Sequence, residues 1–253
     1  MMNCTGKFNA ASFNRIRLGL QLNVCLMFLC PAVISFLLSA IVHEVAASGI
    51  NPSSVTAEAL LQNPTTAVRA LYSILALQYC AAALCALITV SGISDIEYES
   101  DDLLRSRRVF VALMFAEAIA MFTHITDVLV PENLHFPLIT AAFLTATVLV
   151  LLLRCIALRK LLLGYRDILR RVGDTSLSRS AEFLSKMITV FICLVLFLLF
   201  AVVVPASLYS GSVLLRRITT GSLLLAIACY AVIQIRIARF SDRTARFMET
   251  ISG

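Results

Sequence analysis

Charge is scarce in this chain: 14% of its 253 residues are Asp, Glu, Lys or Arg, against 60% hydrophobic residues and a mean hydropathy of +0.91. A soluble domain carries about 25% charged and about 45–50% apolar residues. An ordinary globular fold in water is therefore excluded. Chemistry-bearing patterns are equally thin. There is no H-E-x-x-H, G-x-S-x-G, G-x-x-x-x-G-K or G-x-G-x-x-G, which removes the usual metalloprotease, hydrolase, nucleotide and dinucleotide signatures. No two cysteines have C-x-x-C spacing, so neither a zinc ribbon nor a thioredoxin-type redox pair is expected. Nine glycines and a single proline near the middle of an apolar run (Pro31) leave little material for the interrupted helices typical of secondary transporters.

What the chain does have is apolar runs about as long as a bilayer is thick. Six are read as membrane-spanning helices, at about 18–42, 67–92, 108–130, 136–157, 187–209 and 218–237. Backbone amides in hydrocarbon must be paired within their own segment, so these spans are helices and not strands. The fold class that follows is all-α, a polytopic transmembrane helical bundle forming one domain over 18–237, with tails at 1–17 and 238–253. The first run is longer than a cleaved signal's apolar region of about 7–15 residues, so it is expected to be retained. Pro31 should kink it. Seven cysteines lie within these runs, where a thiol behaves as a small hydrophobe. The five-residue gaps Cys25 to Cys30 and Cys80 to Cys85 turn the second thiol to a different face.

The net charge of +6 sets the orientation, because bases gather in cytoplasmic loops. With six crossings and both termini cytoplasmic, all 21 lysines and arginines except Arg69, Arg216 and Arg217 fall inside, Arg154 counted among them. The bases flank apolar spans, so a bilayer and not nucleic acid is the expected partner. No transit peptide precedes the first span, which favours a bacterial plasma membrane over an organelle.

Two cytoplasmic stretches stand out. In 159–174, the amphipathic start of a segment running to 186, Leu162, Tyr165, Ile168, Leu169 and Val172 share one helical face and arginines fill the rest. It should either lie on anionic lipid head groups of the inner leaflet or extend the fourth span. Residues 93–108 place five acids before three arginines and read as a solvated loop leading into a helix.

Within the spans Glu117 is the clearest ionisable group, and a charge there costs roughly 2.5–3.5 kcal/mol on insertion scales. It shares a stripe with Met121 and His124. Ala112, Ala116 and Ala120 flank it at four-residue spacing, which lets another helix approach and turns Glu117 inward. Ion or proton coupling through Glu117 is one role; a hydrogen-bonded packing residue is the simpler one. His43, His124, Asp127 and His135 cluster toward the outer ends of their spans and are competent metal ligands. Histidines and carboxylates anchoring helix ends are common, so no metal or cofactor is assigned. Three function classes follow, in order: a non-enzymatic interaction or regulatory protein with a membrane partner or a second copy of itself, a small ion-coupled or solute transporter using Glu117, and a membrane enzyme or metal-binding protein without a familiar motif.

Overall fold

The computed structural model describes residues 10–47, 66–129, 137–198 and 213–252. Among these residues there is no strand. Six long helices carry the described residues: α1 (Ala10–Ala47), α2 (Thr66–Ser94), α3 (Asp101–Leu129), α4 (Pro137–Val172), α5 (Thr175–Leu198) and α6 (Val213–Ser252), with a short 3-10 turn at Glu97–Glu99. The shortest, α5, has 24 residues, about 36 Å at about 1.5 Å per residue, against a hydrocarbon core of about 30 Å. Among the described residues, three helices are long and apolar enough to cross a membrane, over Ala10–Glu44, Leu77–Ser94 and Thr175–Leu198. Pro31 lies within α1, which continues on both sides of it.

Sequence neighbours are spatial neighbours, and α6 returns to pack on α1, closing a ring of six. Two glycines bring α1 and α2 into close approach. A Cβ on Gly19 would lie 2.8 Å from the Cys85 carbonyl oxygen, and one on Gly92 would lie 2.6 Å from the Ser12 carbonyl oxygen. Neither position has room for a side chain, since backbone cannot yield as a flexible side chain does.

The start of α1, the α2–α3 link, the α4–α5 turn and the end of α6 gather at one end of the ring, here termed the cap. There the helices run past the apolar spans. The stretch 159–172 extends α4, taking the second of its two options: Leu162, Tyr165, Ile168 and Leu169 are fully buried in the bundle and do not face outward. Tyr165 is the hub, stacked on Phe13 of α1 at 5.6 Å and tilted against Phe240 of α6 at 6.0 Å. Residues 238–252, read as a tail, continue α6 as helix, with Ala245 and Met248 buried. The segment 159–186 is divided between α4 and α5. Gly173, at φ +91°, ends α4 in a Schellman arrangement, its own N–H donating to Arg170 O and that of Asp174 to Leu169 O. Asp174 Oδ1 then accepts from the Leu177 N–H at 2.8 Å and caps α5.

The stretch 93–108 is not a free solvated loop. Ser100 caps α3, its hydroxyl accepting from Asp102 N–H and donating to Asp167. Three of the acids around it hold bases from elsewhere in the chain, Asp95 binding Arg15, Glu99 binding Arg171 and Asp102 binding Lys160, while Glu97 binds Arg107 within the stretch. Asp242 of α6 holds Arg17 of α1 in the same manner. Exposed pairs contribute about 0–1 kcal/mol each, so their main effect is to fix which helix ends meet.

Away from the cap the pattern inverts. Every helix exposes large apolar side chains there, among them Phe36 (73% exposed), Leu77, Phe122 (72%), Leu149, Val190 and Leu225. Among the described cysteines all thiols are free, and Cys30 and Cys85 are buried while Cys25 and Cys80 are exposed, as their spacing implies.

Candidate functional site

The inward stripe of α3 runs through Leu113, Ala116, Glu117 and Ala120, at i, i+3, i+4 and i+7. Ala116 and Ala120 are buried as their spacing predicts, whereas Ala112 is exposed. Glu117 therefore points into the ring, 3% exposed. The inward stripe of α4 passes through Val150, Arg154, Ala157, Leu158 and Leu161 by the same periodicity. The two stripes face each other, and Arg154 Nη2 donates to Glu117 Oε1. Arg154, counted among the cytoplasmic bases from its place near the end of an apolar run, is thus an interior residue and the partner of Glu117.

Residues from other helices surround the pair. The Tyr230 hydroxyl of α6 lies beside the Arg154 guanidinium, and its ring stacks on Phe191 of α5 at 5.6 Å. Tyr79 of α2 lies within electrostatic reach of Glu117. A cavity of about 20 Å³ opens next to Arg154, edged by Gly19, Asn23, Cys85, Thr89 and Leu113. That is room for about one water. One turn along α6, Gln234 is 2% exposed and its Nε2 has no hydrogen-bond partner.

A guanidinium is always charged and offers a planar fork that suits a carboxylate. Opposed in the interior, the two charges cancel. Neither could stay there alone, since losing one partner of a buried pair costs about 3–5 kcal/mol. The arrangement pins α3 to α4 at one register. It also puts the guanidinium that holds this carboxylate at the edge of a water-sized space.

Of the four metal candidates, one has a described side chain. His43 is exposed near the end of α1. The side chains of His124 and Asp127, and the whole of His135, lie outside the described residues. Among the described residues no three His, Cys, Asp or Glu side chains group as metal ligands. Arg154 is the residue that reading along the chain misassigns. The signal that would have found it is its place on the Val150–Leu161 stripe, four residues from one core position and three from the next.

Compared with known protein families, curated proteins and solved structures, the chain matches none.

Proposed function

We propose that this is a polytopic membrane protein that crosses the bilayer six times, with the cap and both termini in the cytosol, and that it acts as a non-enzymatic interaction or regulatory component of that membrane. The observation that carries the reading is the belt of exposed apolar side chains present on all six helices and concentrated in the half away from the cap, with Tyr98 and Ile251 exposed at the cap as well. In water such a belt far exceeds the few hundred Å² of apolar patch a soluble monomer tolerates; in lipid it is the expected surface. The bases concentrated at the cap support a cytosolic assignment for that end. A bacterial plasma membrane is the setting this reading adopts.

Single cysteines at positions 212 and 252 in an otherwise cysteine-free variant test the topology. In intact cells an impermeant maleimide should label position 212 and reach 252 only after permeabilisation; labelling of both, or of 252 alone, overturns it. The interaction role is tested in nanodiscs, where the protein should form a defined complex with itself or with a stoichiometric membrane partner. A strictly monomeric, partner-free species at every concentration counts against that role.

A second reading, ion-coupled transport, rests on Glu117 and the cavity beside Arg154. Proton uptake by Glu117 would have to accompany release of Arg154. It predicts pH-dependent uptake in proteoliposomes that Glu117→Gln abolishes; uptake unchanged by the substitution dismisses it.

A further inference from the structure

The bases expected to meet lipid head groups are already occupied. Lys160, Arg166, Arg170 and Arg171 are taken by Asp102, Asp167, Glu182 and Glu99. Among the described bases the ones without a carboxylate partner are Arg105, Arg108 and Arg159, which are scattered, and Arg179, Arg236, Arg239 and Arg243, which line one groove between α5 and α6. Arg236, Arg239 and Arg243 share a face of α6 at i, i+3 and i+7, and Arg179 reaches the same groove from the first turns of α5. The groove has a volume of about 510 Å³, and no acid lines it. Asp242, which lines a neighbouring cleft with Arg239 and Arg243, is bound by Arg17 and Arg246.

The same seam continues away from the cap as a second groove of about 560 Å³, with an almost wholly apolar lining that includes Met187, Val190, Leu194, Val232 and Ile233. Phe183 lines both grooves and marks their junction. Each falls within the roughly 300–1,000 Å³ of small-molecule sites. Four unneutralised guanidinia opening directly into an apolar trough match one kind of molecule: an anion at one end, hydrocarbon at the other. Guanidinium forks bind phosphate oxygens in pairs.

We propose that the α5–α6 seam holds one anionic phospholipid of the cytosolic leaflet, its phosphate on Arg179, Arg236, Arg239 and Arg243 and one acyl chain in the trough beside Val190 and Val232. The site rests on the membrane reading above, because the trough is open to lipid only if this level lies within the bilayer. The arginine cluster positions the head group, and the trough requires that it arrive on a chain.

Native mass spectrometry of the full-length protein released from nanodiscs of phosphatidylglycerol and phosphatidylcholine tests it. One phosphatidylglycerol should be retained in preference to phosphatidylcholine. Removing charge should weaken retention about fivefold per arginine, so that R239Q/R243Q loses most of it. Val232→Trp, which fills the trough from an exposed position and leaves every charge in place, should also displace the lipid, as should Val190→Trp. Circular dichroism melts establish that each variant is folded, and the two trough variants back each other if one is not. Soluble glycerol phosphate should fail to compete. Equal retention of both lipids, retention unaffected by R239Q/R243Q, displacement by glycerol phosphate, or indifference to both trough variants would each overturn the proposal. None of these outcomes changes the labelling at 212 and 252, so its failure is separable from that of the topology.

Discussion

Within α3 alone the molecule shows two opposite constructions. Near the cap, Leu103, Ser106 and Phe110 face inward while Asp101, Arg105 and Arg108 face outward; two turns on, Ala116, Glu117 and Ala120 face inward while Phe115, Ile119 and Phe122 face outward. The first pattern is that of a helix in water, held by burial of large apolar groups. In the second, the bulky hydrophobes are spent on the outside, and the inside is held by small residues and one ion pair. That is how helices associate when their surroundings are as apolar as they are. The same contrast separates cap from belt throughout: the cap centres on Tyr165 with Phe13 and Phe240, the belt on Glu117 with Arg154. The cap should therefore respond to loss of volume and the belt to loss of charge balance.

The largest expected effect breaks the belt. Arg154→Ala strands a carboxylate and should cost about 3–5 kcal/mol, read as a fall in the unfolding midpoint in detergent. Replacing both Glu117 and Arg154 with leucine should recover most of that loss. If the double variant is less stable than either single one, the pair is more than a neutralised clamp. The next effect tests the contact of α1 with α2 that spans both regions. Gly92→Ala forces a methyl against the Ser12 carbonyl oxygen and should cost about 1–3 kcal/mol, measured in the same melts.

A third prediction sharpens the cap. Burial pushes the Tyr165 phenol well above its ordinary value of 10.0. The folded state therefore keeps a proton that the unfolded state releases as pH climbs past about 10. Stability from the neutral phenol is complete below that pH and drains away as pH rises above it. Its hydroxyl and Ser241 Oγ both lack a hydrogen-bond partner of ordinary geometry. Tyr165→Phe should leave the midpoint at pH 7 unchanged or slightly higher and flatten the alkaline loss; an alkaline limb identical to the parent's assigns that loss elsewhere. The smallest effect belongs to the cap's rim. Arg15→Ala breaks a pair with Asp95 whose partners are both more than a third exposed, so it should cost under about 1 kcal/mol and less still in 1 M salt.

Much of the belt could be read along the chain, because each apolar run is a local pattern. Glu117 turns inward for a local reason too, the alanines at 116 and 120. The cap was harder to see. Its helical extensions mix charge with hydrophobes and look like surface segments until their partners are known, as 159–172 and 238–252 did. Its ion pairs join residues far apart in sequence, Arg15 with Asp95 and Arg171 with Glu99, and no local window contains both members. Arg154 fell between the two cases: its position suggested a membrane boundary, and only the facing helix shows what it holds.

The joint at Gly173 and Asp174 carries a mechanical consequence. One residue both follows the stop of α4 and begins α5, with its backbone N–H bound to the helix behind it and its carboxylate to the helix ahead. A swing of α5 that widened the α5–α6 seam would strain these bonds at the corner and pull on α4, the helix whose guanidinium grips α3.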